Sequence, residues 1–189
     1  MQENATKRFT LNTRQMVTLA MLCTIGIVSA FFIEIPLLPA APHLKYAPAV
    51  IPILIGTLLY GPISGIIMTI VVSTIQSMMH GSGGVIGLVM NLASTGILVA
   101  IVGIYYSRSS KKLPQMVIAM IVGTIIMVLC MIPMNLIFTP IFLPQVPREA
   151  IIGNIIPVII PFNLLNAGIN CLVGGVLYKS LEKILKRQS

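Results

Sequence analysis

The sequence contains very few acidic residues, and this excludes several kinds of active site. Among its 189 residues there are only four, Glu3, Glu34, Glu149 and Glu182. They lie far apart, so the sequence predicts neither a pair of catalytic carboxylates nor an acidic metal site. The two histidines, His43 and His80, have no acidic partner close to them in the sequence. We therefore expect a protein that is not an enzyme and that carries no metal and no cofactor.

Cysteine and tryptophan do not indicate a site either. The three cysteines fall inside apolar runs, and their wide spacing is typical neither of a metal site nor of a disulfide framework. Tryptophan is absent and aromatic residues make up only 6% of the chain. An extended aromatic platform on which a ligand could stack is therefore not expected.

Charge is also scarce, and this indicates a membrane protein. Charged residues make up 8% of the chain, against about 25% in a typical soluble domain. Hydrophobic residues make up 57%, and the mean hydropathy is +1.01. The net charge of +8 could indicate nucleic acid binding, but the positive charges lie between and beyond the apolar runs. We therefore expect the apolar runs to contact the lipid bilayer, and we expect no nucleic acid partner.

The apolar runs predict an all-α integral membrane protein with six transmembrane helices in a single domain, residues 1–189. A spanning helix needs about 20 apolar residues. The predicted helices are Arg14–Ile33, Ala49–Tyr60, Pro62–Met79, Val85–Tyr106, Gln115–Ile137 and Pro161–Tyr178. The second would be only about 18 Å long, so we expect other helices to shield it. Four prolines in residues 34–48 exclude a regular helix there.

The distribution of Lys and Arg predicts which side of the membrane each connection faces. All but two of the twelve lie in or next to the N-terminal tail (1–13), the 107–114 connector and the C-terminal tail (179–189). With six spans, these three segments all lie on the same side of the membrane. The positive-inside rule identifies that side as the cytoplasm, because cytoplasmic connections carry an excess of Lys and Arg. Both termini are then cytoplasmic. The first outer loop (34–48) and the last outer loop (138–149) hold the remaining Lys45 and Arg148.

A few polar side chains lie at depth in the predicted helices, all in the outer leaflet. They are Gln76, Asn91, Asn135, Asn163, Asn166 and Asn170. Each amide can donate and accept hydrogen bonds, so together they could bind a small polar molecule. The other interpretation is that they join helices to one another. The outer loops above them add His43, Lys45, Tyr46, His80 and Arg148 as further candidates.

The sequence shows no means of driving transport by itself. No predicted span contains an acidic residue, as proton- or sodium-coupled carriers usually require. The Walker A sequence G-x-x-x-x-G-K-[ST] is absent, so a partner should hydrolyse ATP. On the first helix the small residues Ala20, Thr24, Gly26 and Ala30 could let a partner helix approach closely, or could pack within the chain. A stand-alone secondary carrier is the main rival, and a lipid-modifying transferase a more distant one.

Four stretches of the chain resemble the substrate-binding S components of energy-coupling factor (ECF) vitamin transporters. They are "LAMLCT" (19–24), "HLKYAPAVIPILIGTLLYGPISG" (43–65), "NLIFTP" (135–140) and "PFNLLNAGIN" (161–170). The resemblance covers nearly the whole chain and implies a multi-pass protein of a bacterial plasma membrane. It implies a vitamin held near the outer face under the first loop. It also implies a T subunit docked at Ala20 and Thr24, and two ATPase subunits.

Within this family the chain most resembles the riboflavin-binding members, with departures. Those members read L-K-x-D-x-S-D-x-P after the first helix, whereas residues 44–52 here contain neither Asp. They read P-F-N-x-x-K on the last helix, whereas Asn166 replaces the Lys. The match implies that Asn135 and Asn163 contact the ligand. It implies that Asn166 contacts the ligand as well, with a neutral amide in place of the charged Lys.

These departures make pantothenate our first expectation for the ligand, slightly ahead of riboflavin. Amides from Asn91, Asn135, Asn163 and Asn166 could bind its hydroxyls and its amide. Its carboxylate needs a cation or helix N-terminal amides. Lys45 and Arg148 are the main candidates for that cation, although each could also be an ordinary solvated loop side chain. A pyrimidine or pyridoxine-like vitamin is a further alternative.

Overall fold

The computed structural model describes residues 12–33, 35–39, 44–46, 48–80, 84–142 and 144–187. In chain order the helices are α1 (Thr13–Phe32), α2 (Val50–Tyr60), α3 (Pro62–His80), α4 (Gly84–Arg108), α5 (Leu113–Phe142), α6 (Arg148–Gly153) and α7 (Ile160–Arg187). A π-helical segment, Ile155–Ile159, leads into α7. Five helices are long and apolar enough to cross a membrane, and α2 is a shorter apolar helix. All the predicted apolar runs are therefore helical, and the all-α prediction is confirmed.

Local sequence signals explain where the first helices begin. The Asn12 side chain accepts a hydrogen bond from the Gln15 backbone N–H at 2.9 Å, and the Gln15 side chain accepts one from the Asn12 N–H at 3.1 Å. This reciprocal pair is a capping box. Between α2 and α3 the chain turns at Gly61, whose φ of 92° is readily adopted only by glycine. Pro62 then occupies the first position of α3, where its missing N–H costs nothing.

The first outer loop contains a short hairpin that the sequence did not predict. Strands β1 (Ile35–Pro36) and β2 (Lys45–Tyr46) pair antiparallel, with Ile35 opposite Tyr46. The strands and the proline in β1 agree with the prediction that this loop has no regular helix. Tyr46 is buried and Lys45 is exposed, so the strand directs the tyrosine into the protein.

The last outer loop is shorter than predicted, because the neighbouring helices are longer. Helix α5 continues through Pro133 and Pro140 to Phe142, so the beginning of the predicted loop 138–149 is helical. A proline removes one backbone hydrogen bond. A membrane helix continues through it, because ending the helix there would leave more backbone groups unpaired in lipid. At the other end of the chain α7 includes most of the basic C-terminal tail. Lys179 there forms an ion pair with Glu182 at 2.7 Å.

Helix α2 lies at the centre of the bundle. Every residue from Pro52 to Leu58 is buried, which confirms the expected shielding of this short helix. It packs against α1, α3, α4 and α7. Helix α5 also packs against α4 and α7. Among the described residues, α4 and α7 share no extensive interface with each other, so α2 and α5 connect them.

Candidate ligand-binding site

Helices α4 and α7 meet at the end of the bundle that carries the basic connector, which we call the inner end. The hydroxyls of Tyr106 and Tyr178 lie 3.2 Å apart, and the rings make an edge contact with centroids 5.9 Å apart. The Tyr106 hydroxyl donates to the Lys111 carbonyl at 3.0 Å, so the hydrogen between the tyrosines comes from Tyr178. Both tyrosines are buried. Together they join α4 to α7 at this end.

Toward the opposite, outer end, helix α4 is less tightly packed. Every residue from Ile86 to Ser94 on α4 is half-buried, whereas Val99 and Val102 farther along are fully buried. A Cβ placed on Gly96 would have no neighbouring atom within 4 Å. Asn91 precedes Tyr106 by as many residues as Asn163 precedes Tyr178, about 22 Å of helix. Asn91 on α4 and Asn163 on α7 therefore lie at a similar depth, on the outer side of the tyrosine pair.

Two of the predicted residues are joined where α3 meets α4. The Asn91 Nδ2 donates to the Gln76 Oε1 at 3.1 Å, and the Asn91 Oδ1 accepts from the Thr95 hydroxyl at 3.2 Å. All three side chains are at least partly buried. This pair agrees with the interpretation that polar residues join helices, because the amides bond across the helix interface.

A second group joins the first outer loop to α7. The Tyr46 hydroxyl donates to the Asn170 Oδ1 at 3.1 Å, and the Asn170 Nδ2 donates to both the carbonyl and the Oδ1 of Asn166, at 2.8 and 3.0 Å. Asn170 is only 1% exposed. Burial raises the pKa of the Tyr46 hydroxyl, so it stays protonated and able to donate at neutral pH. The amide nitrogen and the amide oxygen of Asn170 are thus both bonded within the protein. No described residue accepts a hydrogen bond from the Asn166 Nδ2.

Asn135 and Asn163 form their hydrogen bonds within their own helices. Each is 5% exposed, and each Nδ2 donates at 2.8 Å to the carbonyl four residues earlier, Met131 and Ile159 respectively. The Asn135 Oδ1 accepts from the Thr139 hydroxyl at 3.3 Å. In the described part of the chain the Asn163 Oδ1 has no donor, and no fully buried side-chain polar atom lacks a partner, so this oxygen is not completely buried. Asn163 therefore keeps an acceptor and one N–H that no described residue uses.

The charged candidates are more exposed than these amides. Lys45 and Arg148 are both exposed, Lys45 on the outward side of β2 and Arg148 at the start of α6. His43 and the side chain of His80 lie outside the part of the chain that the structure describes. A site for a carboxylate at the depth of the α4, α5 and α7 amides would require a buried cation. Lys45 and Arg148 do not meet this requirement, because both are exposed.

The proposed docking surface on α1 requires a correction. Ala20 and Thr24 are exposed, and the Thr24 hydroxyl bonds to the Ala20 carbonyl at 3.0 Å. Gly26 and Ala30, in contrast, are buried inside the chain. A Cβ on Gly26 would lie 3.3 Å from Pro52 on α2 and 3.6 Å from Val72 on α3. These two small residues allow α1 to pack closely on its own bundle, so the prediction that they face a partner is wrong.

Sequence reasoning missed the tyrosine pair and Thr139. Nothing local distinguishes a tyrosine that bonds across helices from one at a membrane interface, where Tyr is generally enriched. The equal spacing of Asn91–Tyr106 and Asn163–Tyr178 was a usable signal, since two parallel helices with the same spacing place the same groups at the same depths. Thr139 could have been found from its position one turn after Asn135.

Comparison with known proteins identifies the family. Residues 14–178 match the model of the ECF transporter substrate-specific component. The chain belongs to this family. It is 26% identical to the riboflavin transporter RibU of Streptococcus thermophilus, with 94% of this chain and 87% of that protein aligned. It is 29% identical to RibU of Staphylococcus aureus over 92% and 93% of the two chains. The chain is thus a multi-pass protein of the plasma membrane.

Solved structures show the same fold. A structure described as the S component of a bacterial ECF transporter superposes with a TM-score of 0.75 at 24% identity, covering 92% of this chain and 98% of that one. A third curated relative, FmnP of Bacillus subtilis, is a riboflavin transporter and is 22% identical. The resemblance to the riboflavin-binding group is therefore confirmed. These relatives favour riboflavin, which was our alternative, over pantothenate, which was our first expectation.

Proposed function

We propose that this S component binds riboflavin from the outer side, in the space between the outer halves of α4 and α7. The three relatives named above are riboflavin transporters, and they align with nearly the whole chain. The proposed site is bounded by Asn91 on α4, Asn135 on α5, and Asn163 and Asn166 on α7. Gln76, Tyr46 and Asn170 support it by fixing Asn91 and Asn166.

The observation that carries this proposal is the unused hydrogen-bonding capacity of the α7 amides. The Asn163 Oδ1 and the Asn166 Nδ2 have no partner among the described residues, although Asn163 is nearly buried. The flavin ring carries an uncharged edge on which an N–H lies between two carbonyls. An asparagine amide can match such an edge, because it offers a donor and an acceptor side by side.

The charge of the site supports riboflavin over pantothenate. The outer halves of α3, α4, α5 and α7 contain no Lys, Arg, Asp or Glu. A buried carboxylate without a cation would cost far more than a neutral group, because desolvation penalises charge. Lys45 and Arg148 are exposed and do not supply a buried counter-charge. A neutral vitamin therefore fits the site better. Pyrimidine and pyridoxine-like ligands meet this criterion too, and we prefer riboflavin to them because the three relatives are riboflavin transporters.

The membrane topology that we propose has six spans, with α2 as the short buried one and both termini in the cytoplasm. The charge distribution supports it, since Arg108, Lys111, Lys112 and Lys179 lie at one end of the bundle. The tyrosine pair is then on the cytoplasmic side. Ligand bound between α4 and α7 would have access to the outside and a closed path inward.

A competition assay tests the ligand. Purified protein in detergent is titrated into riboflavin, and binding is followed by the change in flavin fluorescence. We expect saturable binding that a large excess of pantothenate, pyridoxine or thiamine does not reduce. Binding of pantothenate, with no flavin response, would overturn the riboflavin proposal and restore our first expectation.

We further propose that uptake requires an ECF T subunit and two ATPase subunits, and that Ala20 and Thr24 face the T subunit. Both residues are exposed on the lipid-facing side of α1. Ala20→Trp should abolish assembly with the partner subunits while leaving riboflavin binding in detergent unchanged. Met21→Trp, at an equally exposed neighbouring position, is the matched control for bulk. Assembly of the Ala20→Trp protein, or full uptake without partner subunits, would overturn this part of the proposal.

A further inference from the structure

A groove runs along α4 at its inner end, away from the proposed vitamin site. It has a volume of about 420 Å³ and is lined by Ile101, Ile104, Tyr105, Arg108 and Ser109. These positions recur every three or four residues and so form one stripe of the helix. Ile104 and Tyr105 are 41% and 40% exposed, whereas Val102, Gly103 and Tyr106 face the core. The groove therefore opens toward the surroundings of the bundle and not into its interior.

The polarity of the groove changes along the membrane normal. Ile101 and Ile104 lie nearer the middle of the membrane, and Arg108 and Ser109 lie at the end of the helix, about 10 Å farther along. The Tyr105 hydroxyl has no hydrogen-bond partner among the described residues and is free to donate. The Ser109 hydroxyl donates to the Tyr106 carbonyl at 2.9 Å and accepts from the Lys111 backbone N–H at 3.4 Å, so it offers no further donor. The groove thus has an apolar half and a half that offers donors at the interface.

The charge at this end is positive and unbalanced. Arg108 is exposed and forms no ion pair with any residue that the structure describes, and Lys111 and Lys112 follow it in the connector. Glu182, the acidic residue at the same end of the bundle, pairs with Lys179. An arginine at a helix end presents several N–H donors in a planar fork that suits a phosphate group. The complementary ligand is therefore an anion with an apolar portion.

We propose that this groove binds an anionic phospholipid of the leaflet that the connector faces. The phosphate would lie against the Arg108 guanidinium and the Tyr105 hydroxyl, and an acyl chain would lie along Ile101 and Ile104. Lys111 and Lys112 would add attraction to the negative headgroup without direct contact. The proposal is independent of which vitamin the chain transports, because none of these residues belongs to the proposed vitamin site.

Native mass spectrometry of the protein in mixed micelles tests this proposal. Phosphatidylglycerol and phosphatidylcholine with identical acyl chains are added in equal amounts, and the lipid retained on the protein is counted. We expect preferential retention of phosphatidylglycerol, reduced about fivefold in Arg108→Gln, which corresponds to the loss of one interfacial basic residue. Ile104→Trp, which fills the apolar half, should reduce retention of the same lipid.

Arg14→Gln is the matched control, because Arg14 is an exposed basic residue at the inner end of another helix and does not line the groove. It should leave the retention unchanged. Inorganic phosphate at millimolar concentration should not displace the lipid. Equal retention of the two lipids, equal loss in Arg14→Gln and Arg108→Gln, or displacement by phosphate alone would each overturn the proposal. Thermal unfolding of each variant confirms that it remains folded.

Discussion

Toward the inner end, α4 and α7 are joined by the Tyr106 and Tyr178 hydroxyls, and the residues around them are packed closely. Toward the outer end the same two helices carry Asn91 and Asn163, and the α4 residues from Ile86 to Ser94 are only half-buried. Both halves have a similarly apolar sequence. Hydrophobicity therefore does not decide which half packs tightly and which half remains open to a guest.

The difference lies in the small residues. On the inner half of α4, a Cβ on Gly103 would lie 2.7 Å from the Cα of Pro62, so the glycine lets α3 and α4 approach closely. On α5, a Cβ on Gly123 would lie 2.9 Å from Val102. Two turns closer to the outer end, at the middle of α4, Gly96 has no such neighbour. Glycine produces close packing only where an opposing backbone or side chain occupies the space that it leaves.

Substitution at Gly103 and Gly96 of α4 gives the largest expected effect. Gly103→Ala should lower the free energy of unfolding by about 3 kcal/mol, because the backbone of Pro62 cannot move aside as a flexible side chain could. Gly96→Ala should change it by less than about 1 kcal/mol, on the stabilising side, because alanine favours helix. Thermal unfolding in detergent measures both. Similar destabilisation by the two substitutions would mean that the outer half is as tightly packed as the inner half.

Substitution of Asn163 has the next largest effect and acts on the outer half. Asn163→Ala removes the accessible amide oxygen and leaves a polar ligand atom unmatched, so riboflavin binding should weaken by about 1–3 kcal/mol. Fluorescence titration measures the dissociation constant. The unfolding midpoint should change little, since the substitution removes only the hydrogen bond to the Ile159 carbonyl.

Asn154→Ala is the matched control for this change. Asn154 is an exposed asparagine at the end of α6, near Asn163 in the sequence. Its substitution should alter neither affinity nor stability. Equal affinity of the Asn163→Ala and Asn154→Ala proteins would exclude Asn163 from the binding site.

Much of the fold could be predicted because membrane helices are encoded by long apolar runs. The predicted Arg14–Ile33 is shifted by one residue from α1, and the predicted Pro62–Met79 is one residue shorter than α3. Prediction was wrong for the end of α5, because the helix was expected to stop at Ile137 before the loop 138–149, whereas it continues through Pro140 to Phe142. In water a proline exposes backbone groups to competing solvent, whereas in lipid unpaired backbone is so costly that the helix continues.

The site was predictable only in part, because residue type shows chemistry but not direction. Tyr46 lies on the inward side of β2 and Lys45 on the outward side, a distinction that depends on strand pairing and not on composition. The π-helical segment before α7 was also missed. Its Pro157 has no N–H, and the Asn154 carbonyl accepts from both Val158 and Ile159 at 3.0 Å, which shifts the helical register that orients Asn163.

The smallest expected effect concerns the inner half and distinguishes the two tyrosines. Tyr178→Phe removes one hydrogen bond, and Tyr106 still donates to the Lys111 carbonyl, so stability should fall by about 1 kcal/mol. Tyr106→Phe should cost more, because the buried Tyr178 hydroxyl then loses its acceptor. Neither substitution should change the affinity for riboflavin if the ligand occupies only the outer half. A weaker affinity in Tyr178→Phe would show instead that closure of the inner half and binding in the outer half are coupled through α4 and α7.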